Sequence, residues 1–292
     1  MQGAAEPLER NLLGAYLDRL GVDAAPPSVG ALRELHRRQV ESIPYETLWI
    51  HGGEQWDVDP RESVRRIAHD GRGGYCYHLN GALAEILRSL GYTVDRHFGS
   101  VRAEGMPETQ SVGNHVVLTV RDLPTDDNPD GVWYVDTGLG DAMHEPLPLR
   151  AGTYRQGPFE LTLERPAEDP SQWRLVHDPA GGFQTMTWGL EPVTMDVFDE
   201  RHRWLSTSPT SGFVRVAMAE RRYATGVDVI RGLVRTQVGE QGGAERTYKR
   251  REDWFSVLAD DFGLRFDASS PEVVDRLWER VRASHREWEA QH

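Results

Sequence analysis

The sequence holds one cysteine, Cys76, set directly after Arg72-Gly73-Gly74-Tyr75 in the stretch DGRGGYCYHLN from Asp70 to Asn80. A thiol is mostly protonated at neutral pH, so a nucleophilic cysteine needs a base and a third group that orients the base. Among eleven histidines, His115 in SVGNHVVLTV stands where polar sequence gives way to an apolar run, which suits an imidazole held at a strand edge. Asp136 ends the apolar run VWYVD, and a carboxylate at the tip of a buried strand calls for hydrogen-bond donors. Cys76, His115 and Asp136 would supply the nucleophile, base and orienter of a thiol acyl-transfer site. A lone cysteine is also a good small packing residue, so these three residues by themselves leave both readings open. His36, His69, His285 and His292 fall in charged stretches and read as solvated.

The elements that would position these residues are visible in the periodicity. Leu8, Leu12, Leu13, Tyr16, Leu17 and Leu20 recur at helical spacing before Gly21, ALRELHRRQVESI runs to Pro44, and RESVRRIAHD follows Pro60. CYHLNGALAEILRSLG places Leu79, Leu83, Ile86, Leu87 and Leu90 on one face and stops at Gly91. Cys76 therefore sits at a helix N-terminus, where the peptide dipoles favour a thiolate. From YTVDRHFGSVR to FQTMTW the chain changes to short β-rich runs between Pro, Gly and Asp clusters, as in a barrel or sandwich. Beyond Pro192 it mixes a helical stretch, GFVRVAMAERR, a strand-like TGVDVIRGLVRTQV, and two helices, EDWFSVLADDFG and SPEVVDRLWERVRASHREW, the second capped by Ser270 with Pro271 at its first position.

At 292 residues the chain is long enough for two or three subdomains around more than one core. Acidic residues outnumber basic ones 46 to 33, giving a net charge of −13, which disfavours nucleic acid and anionic membrane as partners. An anionic ligand would need a local basic or backbone-amide pocket against that field. One cysteine allows no intrachain disulfide and no Cys-rich zinc site, and a reduced, cytoplasmic setting fits it best. The N-terminal MQGAAEPLERNLL lacks a basic region followed by an apolar core, and reads as the first helix rather than a secretory signal. His144 with Asp141 and Glu145 hints at a metal cluster, but DAMHEPLPL reads better as a loop, and no metal is expected.

Arg72-Gly73-Gly74-Tyr75-Cys76-Tyr77-His78-Leu79-Asn80 resembles the active-site signature of the arylamine N-acetyltransferases, Arg-Gly-Gly-x-Cys-aromatic-Glu-x-Asn. LHRRQVESIPYETL resembles that family's Leu-His…Ile-Pro-Phe-Glu-Asn-Leu segment, NHVVLTV its His-x-x-Leu strand, and VDTGLG its Asp-Val-Gly-Phe-Gly turn. With STSPTSGF and DDFGL, the matches run collinearly over most of the chain. The resemblance implies an α+β protein: a helical bundle over 1–91 carrying the nucleophile, a β-barrel over 92–192 carrying the His and Asp, and an α/β lid over 193–292. It implies Cys76 as acyl-accepting nucleophile, His115 as base and Asp136 as orienter. Arg72 and Glu46, with Gly73, Gly74 and Asn80, become structural support of the site. Gly138 and Gly140 match a glycine turn beside the cofactor cleft, and also read as an ordinary turn after a strand. The implied reaction is two-step transfer of an acyl group, acetyl in the first instance, from acetyl-CoA or another acyl-CoA to an arylamine or hydrazine through a Cys76 thioester. Backbone N–H groups of Cys76 and Tyr77 are the candidates for the oxyanion hole.

The sequence departs from the pattern at His78, where the family has glutamate, and at Thr137 and Leu139, where it has Val and Phe. Tyr77, His78 and Leu139 are accordingly the candidates for altered specificity. The family's amide synthases, which take an acyl chain from an acyl carrier protein, share the triad and remain an alternative, as does a hydrolase with the same three residue types. A non-catalytic binding module is a third class, for which His78 is the best argument.

Overall fold

The computed structural model describes residues 7–239 and 243–291, so His292 and the first six residues lie outside the described residues. The N-terminal part runs α1 (Arg10–Leu20), α2 (Val29–Ser42), a two-residue strand β1 (Tyr45–Glu46), the short α3 (Leu48–Gly52), α4 (Pro60–His69) and α5 (Cys76–Ser89). Local chemistry fixes the boundaries. The Ser28 hydroxyl accepts the Ala31 N–H at the start of α2, and Asp59 accepts the N–H groups of Arg61 and Glu62 ahead of Pro60. Gly21 closes α1 in the left-handed conformation. Tyr16, Leu32, Ile67, Leu83 and Ile86 interlock in one core, so α5 is buried along nearly its whole length.

The middle of the chain is β2 (Thr93–Arg102), the one-turn α6 (Glu108–Ser111), β3 (His115–Arg121), β4 (Trp133–Val135), β5 (Leu147–Pro148), β6 (Gly152–Gln156), β7 (Phe159–Glu164), β8 (Trp173–Val176) and β9 (Thr185–Pro192). These strands form one antiparallel sheet in the order β5-β4-β3-β2-β9-β8-β7-β6. Its edge strands β5 and β6 are consecutive in the chain, and the sheet curls into a nearly closed barrel filled by Val117, Tyr134, Leu161, Leu175, Met186 and Trp188. The barrel and the helices agree with the expected α+β class.

After a 3-10 turn (Met195–Phe198) come α7 (Asp199–Thr207), α8 (Gly212–Arg215), β10 (Met218–Tyr223), β11 (Gly226–Arg231), β12 (Val234–Gly239), β13 (Glu245–Thr247), α9 (Arg251–Asp260) and α10 (Pro271–Gln291). Their sheet has the order β1-β10-β11-β12-β13, so the N-terminal part contributes its edge strand. Trp254, Phe262, Leu277 and Ile230 pack between the sheet and the two last helices. No helix of the described residues is long and apolar enough to cross a membrane.

Two expectations need correction. The first ninety residues are not all helical, because Tyr45 and Glu46 pair with Glu220 and Ala219 of β10. GFVRVAMAERR is not one helix either. Only its first four residues are helical, and from Met218 it is a strand held by β1 on one side and β11 on the other. The helix-favouring residues Ala, Met, Glu and Arg are overridden there by two backbone partners, since propensity is a weak preference beside a full ladder of hydrogen bonds.

Candidate active site

Cys76 is the first residue of α5, and the loop before it is shaped by the two glycines. A side chain on Gly73 would collide with the Pro44 carbonyl, and Gly74 has φ +136° with His78 pressed against it. The loop runs beside β1, where the Glu46 N–H donates to the Gly74 carbonyl at 2.9 Å. Arg72 closes the loop from below. Its Nε and Nη2 both donate to Glu46 Oε1, at 3.2 and 3.0 Å, while Nη1 donates to Glu54 at 3.0 Å. Glu46 Oε2 accepts the Leu48 N–H at 2.7 Å, and the Arg72 guanidinium lies between the Trp56 and Phe266 rings. Burial pushes the Glu46 carboxyl up while Arg72 pulls it down. Neither Arg72 nor Glu46 lines the cavity beside Cys76; Arg72 borders a separate polar cleft with Glu54, Trp56 and Asp70.

The structure brings Cys76, His115 and Asp136 together. His115 opens β3, Asp136 follows β4, and these neighbouring strands put His115 Nε2 2.7 Å from Asp136 Oδ2. Nε2 is thereby engaged, so Nδ1 is the nitrogen left for the neighbouring Cys76 thiol. The Cys76 thiol also points at the Asn114 carbonyl, 3.4 Å away. Burial alone would lower the His115 pKa, but Asp136 and Cys76 outweigh it and lift it to about 10. His115 therefore carries its proton at neutral pH.

Asp136 is held from every side. Oδ1 accepts from Asn80 Nδ2 at 2.7 Å and from the Gly138 N–H at 3.0 Å, and Oδ2 accepts from the Tyr134 hydroxyl at 3.0 Å. Asn80 is itself fixed, donating to the Val116 carbonyl and accepting the Thr137 N–H. The Thr137 hydroxyl accepts from Gln39 Nε2 at 2.7 Å and donates to Asn80 Oδ1 at 3.1 Å, and the Tyr16 hydroxyl donates to the other end of Gln39. His36 reaches the same strand end, with Nε2 3.0 Å from the Asp136 carbonyl and Nδ1 3.0 Å from that of His144. Burial lowers its pKa to about 4, so it stays neutral and donates to one of the two carbonyls.

His36, expected in solvent, is fully buried. Its helical phase with Leu32, Leu35 and Val40 was the available signal, since all of these face the core. His285 is buried too, beside Trp288, whereas His69 is exposed. Tyr134 and Gln39 carried no chemical signal in the sequence, because each reaches Asp136 or its neighbours only through the fold. His144 pairs with Glu41, Asp141 with His177 and Glu145 with Arg37, so the residues that hinted at a metal cluster turn to separate partners.

A cavity of ≈ 190 Å³ opens onto Cys76 and His115. Tyr45, Leu139, Phe183, Trp204 and Phe213 give it aromatic and apolar walls, and Asp141, Glu220 and Arg231 its charged residues. Leu139 thus faces the cavity, but Tyr77 and His78 do not line it. The Tyr77 hydroxyl donates to the Gly113 carbonyl and its ring packs on Phe198. His78 is enclosed by Trp49, Trp56, Tyr75 and His202. Its Nδ1 accepts the Tyr75 N–H at 3.3 Å, and its Nε2 donates to the Asp57 carbonyl at 3.1 Å. A neutral imidazole thus does the capping that an anion would do at this position, and burial holds it neutral. Gly138 lines the cavity and abuts Cys76, with no room for a side chain against the Cys76 α-carbon. Gly140 has φ +71°, and the space a side chain would take is filled by the Glu220 carboxylate.

The N-acetyltransferase family model matches residues 28–270. The arylamine N-acetyltransferase of Mycolicibacterium smegmatis is 33% identical over 212 residues, covering 69% of this chain and 73% of that protein. Arylamine N-acetyltransferase 2 of Mus musculus is 26% identical over 244 residues, covering 76% and 81%. The solved M. smegmatis arylamine N-acetyltransferase superposes with a TM-score of 0.80 at 26% identity, over 91% of this chain and 97% of that one. A Mycobacterium marinum arylamine N-acetyltransferase solved in complex with CoA shares the fold, with a TM-score of 0.81 at 24% identity over 93% and 99%.

Proposed function

Because the chain belongs to the arylamine N-acetyltransferase family, we propose that it moves an acetyl group from acetyl-CoA to an arylamine or hydrazine, through a thioester on Cys76. The observation that carries this reading is the buried Cys76–His115–Asp136 arrangement opening onto an aromatic-walled cavity.

In the first half-reaction the Cys76 sulfur, whose proton already rests on His115, attacks the thioester carbonyl as a thiolate. The new C–S bond to Cys76 forms as the bond to CoA breaks, and the departing CoA sulfur takes its proton from His115. The amine then attacks the Cys76 thioester, its proton passes to His115, and the C–S bond breaks to release the amide and restore the cysteine. Asp136 holds the His115 ring in place through both half-reactions and stabilises it whenever it carries the proton. The Cys76 and Tyr77 N–H groups, at the first two positions of α5, have no acceptor within the helix and are the candidate donors to a developing oxyanion. A thioester conserves the donor's activation while CoA leaves and the ring of the acceptor enters between Phe183, Trp204 and Phe213.

The test is the dependence of CoA release on amine. With acetyl-CoA alone the protein should release a burst of one equivalent of CoA and stop, and an arylamine should start steady turnover. Continuous release without amine, with free acetate as product, would instead identify a hydrolase.

A further inference from the structure

One buried carboxylate in the cavity has no part in the chemistry above. Glu220 sits in β10, is only 6% exposed, and lines the same cavity as Cys76. Side chains alternate along the strand, so Met218 and Glu220 face the cavity while Ala219 packs into the core under α9. Opposite Glu220 stand Tyr45 of β1 and Val229 of β11. Gly140 leaves the opening into which the carboxylate fits.

The charged groups around Glu220 are few. Asp141 comes from the loop after β4, where it accepts the Gly182 N–H at 2.6 Å and meets His177 Nε2 at 3.2 Å. Arg231, at the end of β11, is the only basic side chain among the described lining residues other than His115. Its Nη2 stands 3.6 Å from Glu220 Oε1, and its side chain is 56% exposed, so the pair is loose and open to solvent. Burial, then Asp141, push the Glu220 pKa up, Arg231 pulls it back, and it lies at about 8. A buried carboxyl in a cleft, with spare acceptor capacity and a second carboxylate beside it, is poised to receive a donor.

We propose that Glu220 selects the acceptor, so that the cavity takes arylamines whose ring carries a second hydrogen-bond donor or cationic group and disfavours those carrying a carboxylate. This rests on the acetyl-transfer reading and names the acceptor class for it. A cationic or donor substituent meets Glu220 with Asp141 behind it. A ring carboxylate meets two acidic groups, against one arginine that water already solvates.

The experiment compares three amines of similar shape, 4-aminobenzamidine, 4-aminobenzamide and 4-aminobenzoate, on the full chain and on Glu220→Gln. Binding is read by calorimetry, which needs no turnover, and acetyl loading of Cys76 is read separately by mass. Above about pH 8, where Glu220 is ionised, the wild type should bind the amidine at least about tenfold more tightly than the benzoate, as one charge-assisted hydrogen bond would give. The preference should grow as pH rises through about 8, because Glu220 loses its proton there, and the isosteric Glu220→Gln should reduce it and flatten that pH dependence. Preference for the benzoate, or a Glu220→Gln protein in which all three affinities move together, would overturn the selection. Correct ranking in a protein whose Cys76 never loads would uphold the selection and overturn the acetyl-transfer reading.

Discussion

The two sides of the cavity are built in opposite ways. On the side of Cys76, each polar atom that matters has a named partner. Asp136 alone receives donors from His115, Asn80, Tyr134 and the Gly138 backbone. On the β10–β11 side, Glu220 has one loose ion pair to a half-exposed arginine. A group that must hold a proton at a fixed atom gains from being over-determined, because displacement by even an ångström costs rate. A group that recognises varied partners gains from unsatisfied capacity. The difference in hydrogen bonding between the two walls therefore marks the difference in their tasks.

That comparison breaks most visibly at Asp136. Asp136→Asn should keep the fold, as Asn80 and Tyr134 remain to bond it, yet lower kcat/KM by about 10³- to 10⁴-fold by removing the charge that holds the His115 imidazolium. The same variant shifts the pH behaviour. His115 is raised from 6.5 to about 10, so its contribution to stability is complete below about pH 6.5 and is lost as pH rises through about 10. In Asp136→Asn the loss should move toward neutral pH, which thermal melts across pH 6 to 11 would record.

Arg72→Ala is next, and should show in stability rather than selectivity. It leaves the Glu46 carboxylate buried and unpaired, at a cost of about 3–5 kcal/mol, measurable by urea denaturation. Thr137→Val tests the outer ring of the locked side. Removing the hydroxyl strips a partner from Gln39 Nε2 and costs about 1–3 kcal/mol, with a smaller fall in kcat than Asp136→Asn and no change in the ranking of acceptors. The smallest effect on acceptor choice is expected at His78. His78→Glu restores the family residue outside the cavity, so the acceptor profile should stay as it is, and a reordered profile would show that the aromatic cluster communicates with the cleft.

The contiguous motif made the locked side legible in sequence, because Arg72, Gly73, Gly74, Cys76 and Asn80 all lie in one loop and one helix start. His115 and Asp136 were legible because a polar residue at the end of an apolar strand is a local signal. What was hidden depends on long-range pairing. His36 and Gln39 meet the Asp136 turn across 100 and 98 residues of chain, and nothing local to α2 announces that contact. Glu220 was hidden for a different reason. It lies in a helix-prone stretch, and only the strand register with β1 and β11 turns it into the cavity. Gly140 had two readings, a turn beside the cofactor cleft or an ordinary turn, and the structure shows a third use, making room for the Glu220 carboxylate.

The central claim is that Cys76 carries the acyl group, and intact-mass spectrometry after mixing with acetyl-CoA tests it directly. The account predicts one added acetyl group, mapped to the peptide containing Cys76, absent in Cys76→Ser, and discharged within one turnover when an arylamine is added. An unmodified protein whose Cys76 still reacts with iodoacetamide, or an acetyl group that amine does not remove, would contradict it.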